Sequence, residues 1–245
     1  MQVELGSKGD RIRGELVVPG AGAHSGVIVV HDGRGFGEHA IGVAHELAAM
    51  GHAALAVDLY SRGKPAADIS NPDLKAFMRA VPDAQIVGDL QAAIDFLARD
   101  PAVAGGPIGL VGYCWGGACA FLASAHCRGL AAAASWYGEL RTEVLNALHP
   151  EHPIDAVLAR RCPVVALFAE LDPYATLSQV EELRARHAKQ PGGSSLEIVV
   201  YPGLDHGFAH RGRAHFDAPA HDDGWKRIRA LFDRELAGGR GGAGA

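Results

Sequence analysis

The sequence predicts an α/β fold, a mostly parallel central sheet with helices on both faces. Three observations carry this. Short, continuous apolar runs recur along the chain, as strands buried on both faces require. Between them lie longer segments whose apolar residues return at steps of three and four, the period of a helix with one buried stripe. The two kinds alternate, and that order is produced by parallel strands joined through crossover helices.

The first twenty residues, "MQVELGSKGDRIRGELVVPG", alternate like a pair of strands. "SGVIVVHD" (25–32) is the first buried strand, "EHAIGVAHELAAMG" (38–51) a helix and "AALAVD" (53–58) the next strand. "SRGKPAADISNPDLKAFMRAVP" (61–82) breaks the alternation with Pro, Asp and Ser. Because it follows a strand's carboxyl end, it is expected to form part of a pocket wall. A helix "DAQIVGDLQAAIDFLARD" (83–100), a strand "IGLVGY" (108–113) and a helix "GGACAFLASAHC" (116–127) follow. "AAAASWYG" (131–138) and "PVVALFA" (163–169) are strands, "LSQVEELRARHAKQ" (177–190) a helix and "LEIVVYP" (196–202) the last strand. The final helix, "DDGWKRIRALFDRELAG", gathers Trp225, Ile228, Leu231, Phe232 and Leu236 on one face and is expected to dock on the sheet edge. "GGRGGAGA" (238–245) can bury almost nothing and reads as a disordered tail. With no repeat or linker in sight, residues 1–237 are expected to form a single domain.

Composition narrows the function. The 245 residues, 48% of them hydrophobic, suffice for one large core. The net charge of -5 is modest and Lys and Arg are scattered, so nucleic acid and charged membrane surfaces have no compositional support. No run of about 18 apolar residues is present to cross a bilayer, and the N-terminus lacks the basic and apolar pattern of a secretion signal. A cytoplasmic monomer acting on a small molecule is the expectation. The four cysteines, 114, 119, 127 and 162, include no Cys-x-x-Cys pair and are expected to be reduced. Cys119, Cys127 and Cys162 are expected to be buried and inert. The scattered histidines form no legible metal-ligand set, and no cofactor is implied.

The chemistry concentrates at "GYCWGG" (112–117). A Gly-x-nucleophile-x-Gly turn between a strand and a helix lifts its central side chain out on a strained elbow. The strand before and the helix after favour Cys114 as a nucleophile over a packed small residue. A thiol nucleophile needs a base, and the base an orienting group. Asp172 follows the strand 163–169, and His206 follows the strand 196–202. The chain order nucleophile, acid, histidine is that of the α/β-hydrolase fold. Rivals remain: His31 and His210 for the base, Glu170 and Asp205 for the acid, although Asp205 can serve its own loop's backbone. The backbone N–H of Trp115 is expected to supply one oxyanion donor. The second is expected from "HDGRGFGEH", at Gly35 or its neighbour Arg34, where glycines let the backbone approach a substrate.

"GYCWGG", "VDLYSRG", "VGDLQAAIDFLARD" and "YPGLDHGF" together resemble the dienelactone hydrolase (carboxymethylenebutenolidase) family, in order from about Val27 to Phe232. The resemblance implies an α/β-hydrolase fold and a Cys-His-Asp triad of Cys114, His206 and Asp172. It also implies hydrolysis of an enol-lactone, as in the family's opening of dienelactone to maleylacetate. Two positions depart from the family pattern. Aligned on the Phe-Gly of "GRGFG", Arg34 stands where the best-known members carry a glutamate that holds the resting thiol, with Glu38 one helical turn on. In "HGFAHR", His210 stands where they carry a carboxylate-gripping arginine, with Arg211 one residue later. Arg34, Phe36, Tyr60, Arg62 and Arg211 are therefore the candidate substrate-binding residues; Tyr60 either lines the pocket or packs, and Arg62 either reaches it or stays on the surface. An enol-lactone or activated ester is the expected substrate, with a general carboxylesterase or thioesterase, or a non-catalytic binding protein on the same scaffold, as alternatives.

Overall fold

The computed structural model describes residues 1–22, 24–63, 70–190 and 192–237. The tail at 238–245, and positions 64–69 of the expected pocket wall, lie outside the described residues.

The chain begins with an antiparallel hairpin, β1 (Gln2–Ser7) and β2 (Asp10–Val17). It then runs β3 (Gly26–Val30), α1 (Glu38–Ala49), β4 (Ala53–Val57), α2 (Asn71–Arg79), α3 (Asp83–Arg99), β5 (Ile108–Tyr113) and α4 (Trp115–His126). The second half adds β6 (Leu130–Trp136), α5 (Pro153–Leu158), β7 (Val164–Ala169), α6 (Leu177–His187), β8 (Leu196–Tyr201) and α7 (Ala218–Glu235). One eight-stranded sheet results, in the order β1-β2-β4-β3-β5-β6-β7-β8. β3 to β8 run parallel, and the β1-β2 hairpin is added antiparallel at the β4 edge. This is the mostly parallel, doubly covered sheet of an α/β-hydrolase.

The apolar runs are central strands because both of their faces are covered. Val27 and Val29 pack with α1 and α7 on one side, and Ile28 and Val30 with α3 and α4 on the other. A third cluster joins Phe168 and Ala166 of β7 to α5 and α6. The topology also places the pocket. From β3 the chain moves outward to β4, then crosses back to lay β5 on the opposite side of β3. A crevice opens where the strand order reverses in this way, beyond the carboxyl ends of β3 and β5.

Two elements differ from the sequence reading. The segment 61–82 contains a helix, α2, capped by Ser70, whose hydroxyl accepts the N–H of Asp73, with proline in its first turn. α7 lies across the face of β6 and β7 rather than on the sheet edge. Glycine permits that close approach, since a Cβ on Gly224 would sit 2.2 Å from the Trp136 ring. No described helix is long and apolar enough to cross a membrane.

Candidate active site

Cys114 sits between β5 and α4 at φ 56°, ψ -118°, a region unfavourable for any side chain but tolerated when the surroundings over-determine it. Glycines do so here. A Cβ on Gly112 would lie 1.9 Å from Gly116 O, one on Gly116 2.4 Å from His31 O, and one on Gly117 2.7 Å from Ser135 Oγ. Only glycine lets the elbow, β3 and β6 close on one another, and the closure holds the thiol at the end of the sheet.

His206 Nε2 lies 3.1 Å from Cys114 Sγ, and its Nδ1 donates to Asp172 Oδ2 at 2.8 Å. Asp172 is buried, and its Oδ1 accepts the N–H groups of Tyr174 and Ala175. The structure thus brings Cys114, His206 and Asp172 into one hydrogen-bonded chain. Burial disfavours a charged ring at His206, but the field of Cys114 and the hydrogen bonds to Asp172 and Cys114 outweigh it, and His206 is pushed up to about 10. Tyr137 and Tyr174 set ring edges against the imidazole, at 4.9 and 4.7 Å between centroids.

The rivals have other partners. His31 is buried, donates from Nδ1 to Asp32 O and accepts the N–H of Leu59 at Nε2. His210 stacks on His39 at 3.8 Å. Glu170 accepts the N–H of Gly203, and Asp205 that of His206. The other three cysteines are buried and unpaired, and burial pushes the thiols of Cys127 and Cys162 up to about 12.

A cavity of about 160 Å³ opens above the thiol. Beside Cys114 and His206 it is lined by Asp32, Gly33, Arg34, Lys75, Tyr137, Glu139, Tyr174 and Arg213, among others. Arg34 reaches it, with one guanidinium nitrogen donating to Asn71. As the first residue of α4, Trp115 has an N–H without an intrahelical acceptor, and its ring packs on His31 and Tyr60.

Five expectations are corrected. Gly35 spends its N–H on Asp32 O, in a turn at φ 99°, and lies with Phe36 in a separate groove beside β2. Gly33 is the glycine of this loop that faces the thiol. Phe36 packs against the α1 and α7 core rather than lining the thiol pocket. Tyr60 also packs: it is buried, donating from its hydroxyl to Gly33 O. Arg62 grips Asp89 through two nitrogens and Asp10 through a third, at the β1-β2 hairpin and away from the pocket. Arg211 lies 3.7 Å from Glu46 and over the Phe216 ring, in a wider groove between α1 and α7 that holds none of the triad residues.

Other residues take the vacated places. Arg213, two positions beyond Arg211, lines the thiol cavity and donates to Asp32 Oδ2 at 3.0 Å. Asp32 is the carboxylate of the loop after β3 that faces the cavity, and it also accepts the N–H of Arg34. The Asp-Gly pair at 32–33 is a turn signature that signals this arrangement. Lys75 comes from α2, its ammonium 4.6 Å from the centre of the Tyr174 ring. Glu139 follows a strained Tyr137 (φ 41°), and burial pushes its carboxyl up. Among the described residues, no group of three or more His, Cys, Asp or Glu is arranged to hold a metal.

The model of the dienelactone hydrolase family matches residues 12–236. The chain belongs to the dienelactone hydrolase family. A relative from Methylorubrum extorquens named "Putative carboxymethylenebutenolidase" is 33% identical over 211 residues, covering 84% of this chain and 70% of its own. A Yersinia pestis protein of the same name is 32% identical, covering 94% and 86%. A Klebsiella pneumoniae structure, "Putative Dienelactone Hydrolase", superposes with a TM-score of 0.89 at 31% identity, covering 96% of this chain and 98% of its own. Membership makes the chain a hydrolase.

Proposed function

We propose that this protein hydrolyses an enol-lactone or an activated ester through a Cys114-His206-Asp172 triad and a cysteinyl thioester. The observation that carries the reading is the hydrogen-bonded chain from Sγ through the imidazole to a buried carboxylate. The substrate carbonyl sits above the thiol, its oxygen held by the N–H groups of Trp115 and Gly33. Tyr60 fixes the Gly33 peptide from behind.

The thiolate attacks the carbonyl carbon, and the C–O bond to the leaving oxygen breaks as His206 delivers its proton there. Acylation removes the thiolate whose field held that proton, so the imidazole then becomes a base. It takes a proton from water as the hydroxide adds to the thioester carbonyl, and the C–S bond then breaks, releasing the acid product and returning Cys114 as the thiolate beside a protonated His206. Asp172 keeps Nδ1 protonated throughout. Expelling a poor leaving group would compete with expelling the thiol, which favours an enol or activated oxygen and disfavours an amide. Arg34 and Lys75 beside the cavity suit a substrate that carries a carboxylate.

One observation favours the second reading, a general carboxylesterase or thioesterase. Arg213 is already neutralised by Asp32 and is no free clamp for a substrate carboxylate. Hydrolysis of a cis- or trans-dienelactone and of p-nitrophenyl acetate by the protein, Cys114→Ser and His206→Ala separates the readings. The proposal predicts a preference for the lactone that both variants lose. Ester cleavage without lactone cleavage favours the second reading, and turnover unaffected by either variant removes the triad.

A further inference from the structure

Lys75, Met78 and Glu139 line the thiol cavity, and all three also line a second cavity of about 70 Å³. Its floor is the flank of α4 that begins immediately after the nucleophile. Trp115, Ala118, Cys119 and Leu122 stand at i, i+3, i+4 and i+7, one face of a helix, and Ile86 and Pro153 complete the apolar wall. Of the charged groups that line it, Arg79 is paired with Glu143 and Asp83 with His149, and Lys75 and Glu139 stand at the mouth shared with the thiol cavity. Against the apolar α4 floor beyond them, an apolar guest gains burial. The volume is roughly that of two water molecules in the liquid, enough for a few carbons.

We propose that this chamber is an acyl-arm subsite, which takes a short, uncharged alkyl or aryl group carried on the carbonyl carbon that Cys114 attacks. Lys75, Met78 and Glu139 form the waist through which the arm passes. It rests on Cys114 being the nucleophile proposed above, and it makes the natural substrate longer on its acyl side than the pocket over the thiol alone would hold.

The test is a chain-length series read in two ways. p-Nitrophenyl acetate, propionate, butyrate, hexanoate and octanoate report kcat/KM. Bromomethyl ketones with the same alkyl arms report the alkylation rate at Cys114 by peptide mass spectrometry, which needs no turnover. The expected result is a rise of about fourfold per added methylene up to about butyrate, then a plateau, in both series. Ala118→Leu, which fills the floor, should bring the variant's own butyrate-to-acetate ratio close to one. Met78→Ala, which widens the waist, should move the plateau to a longer arm. A flat or falling dependence in the ketone series overturns the subsite. A rising ketone series without ester turnover keeps the subsite and removes the hydrolytic reading.

Discussion

Two loops meet over the thiol, and they are held by opposite means. The elbow after β5 is fixed by steric exclusion: Gly112, Gly116 and Gly117 each lack room for one more carbon atom, and the strained Cys114 cannot relax. The loop after β3 is fixed by polar ties instead. Asp32 accepts from Arg34, Gly35 and Arg213, and Tyr60 anchors Gly33. Cys114 is thus set by contacts that leave no room for a side chain, while the loop after β3 is set by bonds that can be removed one at a time. A rigid thiol beside a tunable loop leaves room for the substrate preference to change while the reacting atoms stay in place.

The largest effect is expected at the proposed triad. Asp172→Asn should lower kcat by about 10⁴-fold, because an amide can leave His206 in the wrong tautomer; stopped-flow or steady-state kinetics at saturating ester reads this. Breaking the steric side of the contrast comes next. Gly116→Ala must push His31 O away from 2.4 Å, and displacing the thiol by about 1 Å costs about 100-fold in kcat/KM, with a fall in Tm. Cutting a polar tie should do less. Asp32→Asn weakens one charge-assisted hydrogen bond to Arg213, and a loss of about 10-fold in kcat/KM with nearly unchanged Tm is expected. If Asp32→Asn costs as much as Gly116→Ala, the contrast between the loops fails.

Arg62 sharpens the comparison from outside the site. Its partner Asp89 is buried, so Arg62→Ala should lower stability by about 2 kcal/mol, discounted because the guanidinium is a quarter exposed, while kcat/KM stays within about twofold. Denaturant melts and ester kinetics on the same sample check both parts. A further effect concerns pH. His206 binds its proton more tightly folded, at about 10, than at its ordinary 6.5. The stability this gives is complete below pH 6.5 and is lost as pH rises towards 10. The parent's Tm should therefore fall over that window by more than that of His206→Gln.

The contrast also explains what could be read in the sequence. The β-branched run at 27–30 and the glycine spacing at 112–117 are demands of sterics, and steric demands leave a fixed residue pattern. The order of Cys114, Asp172 and His206 past three strand ends was legible for the same reason. The loop after β3 was not. Its register depends on Asp32 folding back to accept from Arg34, which puts Gly33 rather than Gly35 over the thiol, and an alignment on Phe36-Gly37 slides past that turn. Arg211 and Arg213 lie two apart in one loop, and only the tertiary position of Asp32 selects the second. α2 and α5 are too short for their apolar positions to set a period, although the Ser70 cap and the prolines at 72 and 153 mark both starts.

The central claim is that Cys114 carries the acyl group, and trapping that group tests it most directly. Protein mixed with excess p-nitrophenyl butyrate, quenched in acid within the first turnovers and mapped by peptide mass spectrometry, should carry one butyryl group on the peptide containing Cys114. In His206→Gln that adduct should decay more slowly, because no base remains to activate water. Turnover with no adduct at Cys114, or with an undiminished rate in Cys114→Ala, would contradict the account.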